Sequence, residues 1–299
     1  MRHVLFAALF ALVASFGGGR AFASPFDPAT VPDQVEAVGH LDADALRKTQ
    51  LFAAVGGQAA LDTAMNDAPA PMREAIRSVT RATHGVSFWK DGEHGAVYID
   101  TRDARAVAQL IAKLPVKPLP AIDGFPTYAI DDDHRHHGNH ALCAAFGGTL
   151  VVSDDEASLT RALRVLGGKA PSLAGSSKLP STVRQGVFVF VALGDHALSS
   201  IQKVAQSKVL QLGLRSVVVD VGEAGGQVAA SARVEMKTAD AVAKARNILD
   251  GLRSLASLSD DANARTLVDA VTVTSNGLTL EIAAKLPVAE IAKVIEHGH

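Results

Sequence analysis

The chain has 299 residues with 29 Lys and Arg against 31 Asp and Glu, and the charges are dispersed along it. No basic run or stripe marks a nucleic-acid surface, and Trp89, Tyr98 and Tyr128, the only Trp and Tyr residues, are too few for a series of exposed stacking rings. The single cysteine, Cys143, excludes a disulfide within the chain, and among Leu142, Ala144 and Ala145 it reads as a buried, inert thiol.

Residues 1–23 have the form of a cleavable secretory signal peptide: Met1-Arg2-His3, the apolar run Val4 to Phe16, and the ending Ala21-Phe22-Ala23. The run is too short to cross a bilayer comfortably, and no Cys follows it for lipid attachment. The expected location is secreted or periplasmic, with no membrane span after cleavage. Setting aside Arg2 and Arg20 leaves 27 basic against 31 acidic residues, a formal charge of -4 with His neutral.

The pattern then predicts a strand over Gln34 to Leu41, and a helix from Ala43 to Val55 capped by Asp42 and ended by Gly56-Gly57. Helical patterns follow at Ala59 to Met65 and Met72 to Thr83, separated by the prolines of 68–71. A hairpin is expected from Val86 to Lys90 and Ala96 to Asp100 around Asp91 to Gly95. Asp100 or Thr101 caps the next helix, whose apolar stripe is Ala104, Val107, Ala108, Ile111 and Leu114. The Pro-rich stretch 115–126 reads as a stiff connection to a strand at Thr127 to Asp131. A polar loop leads to strands at His140 to Phe146 and Thr149 to Ser153. Ser153 with Glu156 forms a capping box on a helix with Leu159, Ala162, Leu163 and Leu166 on its stripe.

Residues 167–186 have the Gly, Pro and Ser content of a linker. Beyond them come an apolar strand, Val187 to Leu193, and a helix from His196 to Leu212. A hairpin of Arg215 to Val221 and Gln227 to Glu235 turns around 222–226. Thr238 caps a long helix with Val242, Ala245, Leu249, Leu252 and Leu255 on one stripe. A helical stretch near Ala262 to Ala270 follows. The last hairpin, Val271 to Thr274 with Leu278 to Ala284, turns at Asn276-Gly277 and feeds a final helix after Pro287.

Both halves read strand, helix, hairpin, helix, hairpin, helix. The expectation is an α+β fold of antiparallel sheets with helices on one face. It is built as a tandem duplication with a first half at 24–166, a linker at 167–186 and a second half at 187–299.

The halves depart from each other at 131–140, where Asp131, Asp133, His134, His136, His137 and His140 offer the imidazole and carboxylate set suited to Zn, Cu or Ni. A solvated polar loop is the competing reading of the same residues. His40 with Asp42, and Asp195 with His196, sit at similar strand-to-helix joints, where capping competes with anion binding. The pair Asp154-Asp155 reads as helix-start residues. Ser200 to Lys203 matches the Ser-x-x-Lys tetrapeptide of penicillin-recognising enzymes, but no Lys-Thr-Gly or Ser-Asp-Asn follows. No nucleophile or acid-base constellation emerges. The sequence therefore suggests a non-catalytic binding or assembly module of the bacterial cell envelope, acting on an envelope protein or small ligand. A periplasmic transition-metal binder is the alternative, and a hydrolase whose groups are distant in sequence is a third.

Overall fold

The structure, a computed structural model, describes residues 26–67, 70–101, 103–130, 141–176, 179, 183, 186–199, 213–258 and 262–297. Residues 1–23, expected to be a signal peptide, the segment 131–140 and Ser200 to Lys203 lie outside the described residues. The chain divides into two compact units, Met1–Thr182 and Val183–His299.

The first unit starts with β1 (Ala37–Asp42), α1 (Ala43–Arg47), α2 (Gln50–Ala54), α3 (Gly57–Ala64) and α4 (Ala70–Ala82). The single helix expected over Ala43 to Val55 is two short ones. Thr49 Oγ1 hydrogen-bonds the Leu46 carbonyl and accepts from Phe52 N–H, so it closes one helix and caps the next. Next come β2 (Gly85–Asp91), β3 (His94–Asp100), α5 (Ala104–Lys113), β4 (Val116–Ile122), β5 (Phe125–Ile130), β6 (Ala141–Phe146), β7 (Thr149–Ser153) and α6 (Glu156–Leu166). The N-cap of α5 is Asp103 rather than Asp100 or Thr101, because its carboxylate accepts from both Arg105 N–H and Ala106 N–H. The expected stiff connection after Leu114 is strand β4. It lies at the sheet edge and pairs only with β5, so the missing N–H groups of Pro118 and Pro120 are tolerated.

The strand order in this unit is β1-β2-β3-β7-β6-β5-β4, antiparallel throughout. Cross-strand partners share a face. The register therefore puts Val97, Val152, Cys143 and Tyr128 on one face, and Tyr98, Val151 and Ala144 on the other. On the first face α4 and α5 contribute Val79, Val107, Leu110 and Ile111 to a core with Ile99, Cys143 and Leu150. On the second face α6 buries Leu159, Ala162 and Leu163 completely, each leucine contributing about 1.5–3 kcal/mol.

The second unit comprises β8 (Val187–Gly194), β9 (Leu214–Ala224), β10 (Gln227–Met236), α7 (Ala239–Ser257), α8 (Ala262–Asp269), β11 (Val271–Asn276), β12 (Thr279–Pro287) and α9 (Val288–His297), with residues 195–199 also helical. Its strand order is β8-β9-β10-β12-β11, again antiparallel. The β9–β10 turn is only Gly225-Gly226, both at positive φ, instead of the five residues 222–226. The last turn is Gly277-Leu278, since Asn276 still pairs with Thr279. Thr238 caps α7, as its spacing predicted. Val242, Ala245 and Leu249 of α7 pack with Leu280, Val234 and Val217 over one face.

The α+β class and antiparallel pairing are those expected. Helices on one face describes α7 in the second unit, whereas the first unit is covered on both faces. Both parities of its central strands are apolar, as in Leu150-Val151-Val152, so each face needs a cover.

Candidate functional site

At one end of the first sheet the β2–β3 hairpin meets the start of α6. The hairpin closes with Asp91 opposite His94 around the two-residue turn Gly92-Glu93, so His94 is the first residue of β3 rather than a turn residue. Ala96 is registered against Ser153, the last residue of β7, and the chain then passes through Asp154 and Asp155 into α6. Two segments some sixty residues apart in sequence thereby place an imidazole and two carboxylates together. A side chain on Gly95 would run into the Trp89 carbonyl oxygen, so glycine is required for this close approach.

His94 Nδ1 lies 3.3 Å from Asp155 Oδ2 and 3.9 Å from Asp154 Oδ1. One ligand atom from each of the three residues lies within 4.8 Å of the others, the only such group of three His, Cys, Asp or Glu residues among the described residues. Asp155 has two separate tasks. Its Oδ1 accepts from Ser158 N–H at 2.9 Å and caps α6, replacing the Ser153 capping box of the sequence reading. Its Oδ2 is buried without a hydrogen-bond donor. Burial opposes ionisation of this carboxyl, but hydrogen bonds from Ser158 and the nearby His94 outweigh it and hold the carboxyl below its ordinary value. Ser153 Oγ lies 2.8 Å from the Gly95 carbonyl oxygen, tying the hairpin to the helix start.

Beneath this cluster, Arg161 of α6 reaches Asp91 at 2.6 Å and stacks 5.3 Å over Trp89, whose indole N–H donates to Tyr98. Burial of Tyr98 raises its phenol well above the ordinary range, despite that hydrogen bond. The outer side of α6 borders an open depression of about 600 Å³ lined by Glu156, Thr160, Arg161 and Arg164. Arg164 and Lys169 both pair with Asp123.

A second polar cluster lies at the base of α1. Asp44, 2 % exposed, bonds Arg47 at 2.9 Å and His84 Nδ1, while Arg47 also donates to the Thr80 carbonyl. Burial lowers the Arg47 pKa, with the Asp44 carboxylate opposing the shift. The His84 carbonyl accepts from the N–H groups of Ala43 and Asp44, so the network joins α1 to β2. Its geometry is that of a neutralised buried carboxylate.

At the strand-to-helix joints singled out in the sequence, the carboxylates have partners within the chain. Asp42 caps Ala45 N–H at 2.8 Å, and His40 Nδ1 is hydrogen-bonded to Ser87 Oγ. Asp195 pairs with Lys237 at 2.9 Å. Cys143 is fully buried, and burial pushes its thiol up to about 11. The residues Asp131, Asp133, His134, His136, His137 and His140 lie outside the described residues. Their flanking residues Ile130 and Ala141 are registered partners, and Leu142 pairs with Ser153. Ile130 and Ala141 therefore lie at the end of the sheet where His94, Asp154 and Asp155 gather.

The second unit presents a different feature. Leu252 and Leu255 of α7 and its C-cap Leu258 are 54, 69 and 80 % exposed, although they continue the stripe that Val242 and Ala245 bury. The three cations of this helix all pair with acids of the same helix, Lys244 with Asp240 and both Arg246 and Arg253 with Asp250. No helix among the described residues is long and apolar enough to cross a membrane.

No protein-family model matches the chain, and no curated protein does. Among solved structures it is similar to TP0453. Crystal form III aligns at a TM-score of 0.54 with 12% identity over 92% of this chain and 99% of that one. Crystal form IV aligns at 0.52 with 13% identity over 92% and 98%. At this identity the likeness is one of fold.

Proposed function

We propose that the chain is a secreted or periplasmic, non-catalytic binding module of the cell envelope, built from two tandem copies of one α+β frame. Its partner is another protein that covers the leucine face of α7. The observation that carries this reading is the run Leu252, Leu255 and Leu258, exposed in succession along the last turns of one helix and its C-cap. Such contiguous apolar surface marks an interaction site, whereas single exposed leucines do not. The self-paired charges beside it favour an apolar protein patch over an anionic lipid surface, which would call for unpaired Lys and Arg. The envelope location rests on residues 1–23, and the duplication on the shared order of strands, 1-2-3-7-6 against 8-9-10-12-11.

A photo-crosslinking residue placed at Leu255 in cells, with Arg233 as a surface control, tests the reading. One discrete adduct with a different protein, formed from position 255 and not from 233, is expected. Adducts only with lipid or with a second copy, or none at all, would overturn it.

A second reading is a periplasmic Zn, Cu or Ni binder using Asp131, Asp133, His134, His136, His137 and His140. It draws support from the register that brings Ile130 and Ala141 to the sheet end where His94, Asp154 and Asp155 gather.

A further inference from the structure

We propose that His94, Asp154 and Asp155 form a binding site for a divalent transition metal ion of the zinc class. The site is distinct from the histidines of 131–140, and independent of the partner assigned to α7.

The donor set comes from two elements, a strand start and a helix start, so it is more than the acidic beginning of one helix. An imidazole with two carboxylates suits Zn, Co or Ni, whereas Ca or Mg would call for oxygen ligands alone. Two atoms each about 2.0–2.1 Å from one tetrahedral ion stand roughly 3.3–3.4 Å apart. His94 Nδ1 and Asp155 Oδ2 already have that spacing, at 3.3 Å. Asp154 Oδ1, at 3.9 Å and on a half-exposed side chain, closes the set by a small rotation.

Asp155 is oriented for the role. One oxygen is fixed by Ser158 N–H, and the other, buried without a donor, faces the imidazole. That division resembles the outer hydrogen bonds that hold ligating carboxylates in metal sites. His94 is held by the backbone pairing of the hairpin and by the glycine beside it, which leaves only its side-chain torsions to adjust. Three protein ligands leave the remaining coordination to water, the open form of a zinc site.

The test is calorimetric titration of the untagged mature chain with Zn²⁺ at neutral pH. It compares wild type, His94→Ala, Asp155→Asn, and a variant with His134, His136, His137 and His140 all changed to Ala. Asn remains a good N-cap, so Asp155→Asn removes the ligand charge without undoing α6; circular dichroism of each variant checks the fold. One zinc equivalent is expected to weaken by at least about 10-fold in His94→Ala and in Asp155→Asn, and to persist in the four-histidine variant. No uptake by the wild type, or uptake unchanged in both His94→Ala and Asp155→Asn, would overturn the proposal. Uptake lost only in the four-histidine variant would also overturn it and assign the metal to 131–140.

Discussion

In the first unit α6 returns over the second face of the sheet, leaving Trp89 2 % exposed and Leu163 fully buried. In the second unit the face opposite α7 is exposed on its outer strands, at Arg233, Glu281 and Lys285 with Thr272 and Thr274 beside them, and buried toward β8, at Phe190, Ala192 and Val218. The frames agree strand for strand over five positions, and they differ in what the strands ask for. A run such as Leu150-Val151-Val152 is apolar on both parities and recruits two covers. Leu280-Glu281-Ile282 alternates and needs one. The first unit is thus closed by its own helices. In the second, the face opposite α7 is buried at Phe190, Ala192 and Val218 but exposed from Arg233 outward, and the far half of α7 is uncovered. The contrast is between a helix stripe that is fully buried in one unit, on α6, and a stripe that runs out into solvent in the other, on α7.

The largest effect that would sharpen the contrast is loss of the indole at the centre of the closed face. Trp89→Ala removes a nearly fully buried ring, its hydrogen bond to Tyr98 and the stacking of Arg161. A loss of about 3–5 kcal/mol is expected from denaturant unfolding followed by circular dichroism. A loss below about 1 kcal/mol would mean that α6 does not seal that face.

Cys143, on the opposite face of the same sheet, gives a smaller and pH-dependent effect. Its thiol is pushed up to about 11 from 9.0 by burial, so between those values the unfolded chain ionises while the folded one stays neutral. Stability should fall as pH rises through this window and level off above it, by at most about 2–3 kcal/mol from this group. Because Trp89 is the only tryptophan, its emission reports unfolding of the first unit alone. The difference between wild type and Cys143→Ala should therefore drift with pH above 9 and be constant below; a flat difference throughout would show a solvated thiol.

Much of the frame was legible because its signals are local. Caps such as Thr238, glycine turns and strict alternation in 278–284 placed most strands to within a few residues. Strand β4 was missed because Pro118 and Pro120 read as coil, although Asp123-Gly124, both at positive φ, carried a tight-turn signal. The candidate metal site was not legible. His94 and Asp154 belong to no spacing rule, and only the pairing of β3 with β7 brings them together. The periodicity of α7 was read correctly, yet a stripe cannot say where its own core ends. Leu249 packs inside while Leu252 does not.

The most direct measurement of the contrast is a pair of equivalent truncations on two helices, Leu163→Ala in α6 and Leu255→Ala in α7, followed by denaturant unfolding. Leu163 is fully buried and Leu255 is 69 % exposed. The first should cost about 2–5 kcal/mol and the second no more than about 0.5 kcal/mol. Equal costs at the two positions would contradict the account, since Leu255 would then belong to the core of its own chain.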